Sequence, residues 1–419
     1  MLVYSSKNHH PRTGILLQPN KRSIMKNKIM WAAMLILFFI TIELISIAGL
    51  YLLRTSKGIY YSPIYKNSIS QLHQRLIRLY LKNDTYIIHN KELGWTLRPD
   101  TDRDGYRINA QGIRGNREYD YAPRPGKVRI SAFGDSFTFC DEVKNHETWE
   151  YQLEQQNPEL EIINFGVSGF GVDQAWMRYL NYGRKFNSEF VFIGFMPGNT
   201  LRHVNVFRPF LQPSTGLPLS KPRFLMAQDT LRLLENPLKT LDDYRQMLEN
   251  DQKVVPRMGI FDYHYAANYG HSIFDKSRTA RLGKVFFAEW QKNAGDRLML
   301  ENGVYNPDSE AFNLTLALLK QFYNQVLADG AKPIILIFPS KKSVTRYEDG
   351  KPSPYIFYLQ HFQKLEFDFI DLMNIFDTAA PAVSSSHFRV SHFSAQGNAH
   401  IAQYLNHYIQ NIDHGAGAR

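Results

Sequence analysis

Cysteine is nearly absent: Cys140 is the only one in 419 residues, which excludes an intramolecular disulfide framework and a multi-cysteine metal site. It leaves the compartment undecided. No His/Cys cluster has zinc spacing, and His9 and His10 stand in an N-terminal tail beside nothing that resembles a ligand set. No metal and no cofactor are expected. Acid is missing from the first 29 residues, where Lys7, Arg12, Lys21, Arg22, Lys26 and Lys28 have no counter-charge. That tail supplies +6 of the formal +10, and the other 390 residues hold 43 basic against 39 acidic side chains. So near a balance offers no basic surface for a phosphate backbone, and nucleic acid is rejected as a partner. With 44% hydrophobic and 21% charged residues, the chain has the composition of a packed globular protein.

Charge is also missing from Ile29 to Leu53, apart from Glu43. These 25 residues suffice, as a helix, to cross a bilayer core of roughly 30 Å. A cleaved leader has an apolar run of about 7 to 15 residues and a small-x-small site after it; neither feature is present before Arg54. The run therefore reads as a single-pass anchor. Six basic residues before it against Arg54 and Lys57 after it predict a cytoplasmic tail over 1–28 and the remainder on the outer face of the membrane. An ionised carboxylate at mid-span costs about 2.5–3.5 kcal/mol, so Glu43 is expected to be protonated or paired with another membrane helix. Residues 54–91 read as a juxtamembrane linker. Within it Ile69, Leu72, Leu76 and Leu79 recur at helical spacing beside Lys66, Arg75, Arg78 and Lys82, as in an interfacial helix or a stalk packed on the domain.

From Lys127 onward strand and helix signals alternate. A strand over Val128 to Phe133 precedes a helix from about His146 to Gln156, a strand Leu160 to Phe165, a helix from about Val172 to Tyr182 and a strand Phe190 to Phe195. The order β-α-β-α-β argues for a parallel sheet with right-handed crossovers. The pattern resumes with a helix over Ser309 to Ala328 ended by Gly330, strands at Pro333 to Phe338 and Phe367 to Ile370, and a last helix over Ala395 to Ile412. The expected architecture is a three-layer α/β/α sandwich spanning 92–412, with 413–419 as a tail. Residues 201–306 interrupt it. This insert is rich in aromatics and arginine (FRPF, KPRF), and reads either as a substrate-shaping cap whose rings stack on sugars or as a small core of its own.

In open α/β sheets reactive groups gather at the carboxyl ends of the strands. There stand Gly134-Asp135-Ser136, Asn164-Phe165-Gly166-Val167-Ser168-Gly169 and Gly198-Asn199-Thr200, while Ser391-His392 lies just before the last helix. Taken singly, Ser136 reads as a helix N-cap and Gly169 or Asn199 as a turn residue. Together, and in this order, the segments LGWTLRP, NAQGIRG, GDSFTF, ETW, NFGVSGFG and GN resemble the signature blocks of membrane-anchored bacterial SGNH/GDSL hydrolases, from about Leu93 to Tyr408 with the insert unmatched.

The resemblance implies an SGNH-hydrolase, flavodoxin-like fold with Ser136 as nucleophile and His392 as base. The oxyanion donors would be the Ser136 and Gly169 backbone N–H groups and the Asn199 amide. It implies no cofactor. The activity implied is hydrolysis of an O-acyl ester such as O-acetyl, or O-acyl transfer by the same chemistry, on cell-envelope carbohydrate. Its contrary is a catalytically silent domain that binds a glycan or a membrane-protein partner. Three positions depart from the family pattern. An aspartate usually precedes the histidine by two or three places, where this chain has Val390 and Arg389; Asp371 or Asp377 would have to supply the carboxylate, unless a backbone carbonyl holds the ring. A cationic Arg389 beside His392 would destabilise the imidazolium. Thr200 stands for an aspartate, and Cys140 for a glycine.

Overall fold

The computed structural model describes residues 21–415, apart from 83, 229, 295–297 and 377–386. They form two compact units, one of the chain up to Tyr61 together with Ser272–Phe286, the other of Ser62–His271 and Phe287 onward.

In the first unit helix α1, Lys21–Lys57, is 37 residues long, about 55 Å. Its large apolar side chains from Ile29 to Leu52 are mostly exposed, the inverse of a soluble core helix. It is long and apolar enough to cross a membrane. Glu43, expected to be protonated or paired with another membrane helix, is held by a later segment of the chain. Its carboxylate accepts hydrogen bonds from the Arg278 N–H at 2.7 Å, the Thr279 N–H at 3.2 Å and the Ser277 hydroxyl. Those groups open a helix over Arg278–Lys292, whose first N–H groups have no intrahelical acceptor and carry the positive end of its dipole. The Ser46 and Thr279 hydroxyls meet at 3.0 Å beside this cap.

In the second unit α2, Gln71–Leu81, starts from the Ser70 cap and buries His73, Ile77 and Tyr80. Leu72 and Leu79, expected on the buried stripe, are exposed. Counting the period from Ile69, which precedes the helix, put the stripe out of phase. Ile64, Ile69, Ile77, Tyr80 and Ile87 all join the main hydrophobic core, so most of the expected linker is part of the domain.

The sheet comprises β1 (Val128–Phe133), β2 (Leu160–Asn164), β3 (Phe190–Phe195), β4 (Lys332–Ile337) and β5 (Phe369–Asp371), in spatial order β5-β4-β3-β1-β2. All neighbouring pairs are parallel. Helices cover both sides, α4 (Trp149–Gln156) packing with α7 (Ala395–Gly415), and α5 (Val172–Arg178) with α6 (Glu310–Ala328). Covering both faces is why β2 and β3 are buried along their whole length. The expected helix through Tyr182 ends at Arg178 and continues as a π-turn. Helices Lys341–Glu348 and Ile356–Lys364, between β4 and β5, have no sequence counterpart above; the first buries only Ser343 and Val344, too little to make an apolar stripe.

The strand order reverses between β1 and β3, so the loops leaving these two strands diverge and open a crevice at their carboxyl ends. Ser136 and Asn199 are on the short helical turns that follow those two strands. Phe207, Phe210, Phe224 and Tyr244 of the insert are buried in the core. These four rings pack into the core, whereas Phe261, Phe274, Phe286, Phe287 and Trp290 of the same insert are exposed.

Candidate active site

Asp135 caps the single turn α3 (Ser136–Phe139) by accepting the Phe137 N–H at 2.8 Å. Because the aspartate does the capping, the Ser136 hydroxyl is left for another partner. His392 Nε2 lies 2.8 Å from it. The Nδ1 of the same ring lies 2.9 Å from Glu142 Oε1. A carboxylate can only accept, so Nδ1 carries the ring proton and Nε2 offers a lone pair to the Ser136 O–H.

Glu142 was not foreseen from the sequence, where Asp371 or Asp377 was expected to orient the ring. Asp371 is instead engaged with the Tyr355 hydroxyl and the Met373 N–H, each at 3.0 Å. Asp377 lies outside the described residues. The Glu142 carboxylate also accepts the Val390 N–H at 2.8 Å and the Ser391 hydroxyl at 2.9 Å. Burial pushes its pKa up, but the hydrogen bonds from His392, Val390 and Ser391 outweigh this and bring it down to about 2. Arg389 donates to the Glu142 backbone carbonyl at 2.5 Å, and the acid held against the ring opposes its charge.

Glu142 reaches His392 because the chain turns back sharply after α3. Cys140 (φ 61°) and Glu142 (φ 74°) both adopt the left-handed conformation that costs a side-chain-bearing residue. Glycine alone would adopt it without that cost. The turn is held from below by Arg114, from the NAQGIRG segment. Its buried guanidinium donates to the carbonyls of Cys140 and Val143, each at 2.6 Å, and of Phe139. Trp95, from LGWTLRP, donates from Nε1 to the Ser168 carbonyl at 3.0 Å and steadies the loop of Gly169. Gly169 has φ 83°, and a Cβ there would come within 2.8 Å of Leu217. The Asn199 amide donates to the Asp135 carboxylate with one of its two hydrogens. Ser136, His392 and Gly169 face a common cavity of about 690 Å³, whose walls include Arg202, Arg208 and Leu217.

Under the turn, Glu150 is buried with Oε1 unpartnered, while the Cys140 thiol donates to Oε2 at 3.4 Å. Burial carries its pKa from 4.5 up to about 8, against the pull of Cys140 and Arg114. The native state thus holds a proton that the unfolded chain has already released, so this group removes stability as pH rises from 4.5 to about 8. The Glu150→Gln protein should accordingly lose less melting temperature than wild type between pH 5 and pH 8. Parallel losses would contradict a neutral Glu150.

No family model and no curated relative matches this sequence. Among solved structures, the chain is similar to "a putative lipolytic protein of G-D-S-L family" from Desulfitobacterium hafniense DCB-2. The two are 11% identical, the match covers 67% of this chain and 99% of that one, and the TM-score is 0.34, a likeness too slight to bear on chemistry.

Proposed function

We propose that this chain is a membrane-anchored serine ester hydrolase or O-acyltransferase of the SGNH/GDSL type, with a Ser136-His392-Glu142 triad. The carrying observation is the continuous chain of hydrogen bonds from the Ser136 hydroxyl through both ring nitrogens to Glu142. His392 takes the Ser136 proton as the hydroxyl attacks the acyl carbon, and Glu142 stabilises the imidazolium so formed. The Ser136 and Gly169 N–H groups and the remaining Asn199 amide hydrogen serve the tetrahedral oxyanion. The ring then protonates the leaving alcohol, and water or a sugar hydroxyl resolves the acyl-enzyme. The silent-domain reading drew its support from the missing aspartate, and Glu142 occupies that role. Anchorage through α1, rather than cleavage, is supported by Glu43: a removed leader would not cap a helix of the mature chain. With a cytoplasmic tail, the enzyme would work outside on O-acylated envelope carbohydrate.

Labelling of the full chain in detergent with a fluorophosphonate tests this. The full chain is needed because a truncation at Thr55 removes Glu43. Wild type should label at Ser136, Ser136→Ala should not, and His392→Ala should label much more slowly. An unlabelled, folded wild type would overturn the enzyme reading.

A further inference from the structure

Arg208, in the FRPF segment of the insert, is 5% exposed and on the cavity wall. Among the described residues no hydrogen bond or ion pair is recorded for its guanidinium, and Nη1 is buried without a partner. Arg202, on the same cavity, spends one N–H on the Phe170 carbonyl at 2.7 Å and, among the described residues, has no carboxylate within ion-pair distance. Burial, together with repulsion from Arg202, lowers the Arg208 pKa from its usual range against the attraction of Asp135 and Asp173, neither of which is in ion-pair contact with it. A buried cation with no counter-ion in contact is costly, and proteins seldom keep one unless something pairs with it. Of the other charges on this cavity, Arg103 is paired with Asp84 at 2.8 Å, and the Asp141 carboxylate, which accepts the Ser168 hydroxyl at 2.6 Å, attracts Arg202 without touching it.

We infer that Arg202 and Arg208 form a subsite for a compact oxyanion, a carboxylate or phosphate, on the ester that Ser136 attacks. A guanidinium presents paired donors that suit either group. This rests on the proposed hydrolase reading but can fail separately from it. It also gives the insert a role at the site that Phe207 and Phe210, packed in the core on either side of Arg208, do not fill.

The test compares the full-length wild type, Arg208→Met and Ser136→Ala proteins. Turnover of phenyl acetate, 4-acetoxybenzoate and 4-acetoxyphenyl phosphate gives the ratio of anionic to neutral kcat/KM. We expect wild type to favour one anionic ester by at least about tenfold, and Arg208→Met to lose that ratio. Which anion is favoured separates carboxylate from phosphate. In parallel, melting of Ser136→Ala with benzoate or inorganic phosphate reads binding without chemistry. One of these anions should raise its melting temperature. Arg208→Met, relieved of an unpaired buried charge, should melt no lower than wild type without anion and should not respond to it, whereas a merely structural arginine would lower it. Ser136-dependent turnover without an anionic preference, and without protection by either anion, would overturn the subsite and leave the hydrolase reading intact. Anion protection without turnover of any ester would do the reverse.

Discussion

Turnover of an activated acetate ester should fall on the order of 10⁶-fold in Ser136→Ala and by a similar factor in His392→Ala, and the double variant should be no worse than either. The two side chains act as one device: the hydroxyl is a nucleophile only while Nε2, 2.8 Å away, can take its proton. Once either is lost, only the oxyanion donors and the cavity act on the substrate, and removing the second group costs nothing further. Additive losses would mean that His392 acts apart from Ser136 and would break the proposed mechanism.

Glu142→Gln is the second large effect, about 10⁴-fold in kcat by analogy with replacing a triad acid by its amide. The amide keeps the size of the side chain, but it can donate to Nδ1, which favours the tautomer with the proton on Nε2. That nitrogen is then blocked as a base toward Ser136. The charge that stabilises the imidazolium is lost as well. Asp371→Asn should stay within several-fold of wild type, since Asp371 faces Tyr355 and Met373. Glu142 also has a stability signature. Its folded pKa of about 2 lies below the ordinary 4.5, so its contribution is present above pH 4.5 and lost as pH falls toward 2. Acid titrations of wild type and Glu142→Gln should converge over that window. Equal activity in both proteins would remove Glu142 from the triad.

The strands, the order of the motifs and the positions of Ser136, Gly169 and Asn199 were legible because each depends on a few contiguous residues. A buried apolar run followed by a glycine-bearing turn marks its own place in the chain. Glu142 was not legible, since nothing in CDEV distinguishes one acid from its neighbour. What selects it is a backbone path with left-handed residues at 140 and 142, held by an arginine some thirty residues upstream. Arg208 was hidden for another reason. In FRPF the rings draw notice, yet Phe207 and Phe210 are core while the arginine between them faces the cavity. The phase of α2 was missed because a period counted through Ile69 begins before the helix does.

The Glu43 cap also has a dimension in time. Its partner Ser277 follows 234 residues later, so at roughly 5–20 residues per second of synthesis the carboxylate waits about 10–50 s for its donors. During that interval a nascent α1 placed in a bilayer carries an unpaired acid, which is when a quality-control protease or a foreign helix could engage it. Helix α1 is therefore finished late, by sequence that belongs to the insert rather than to α1 itself.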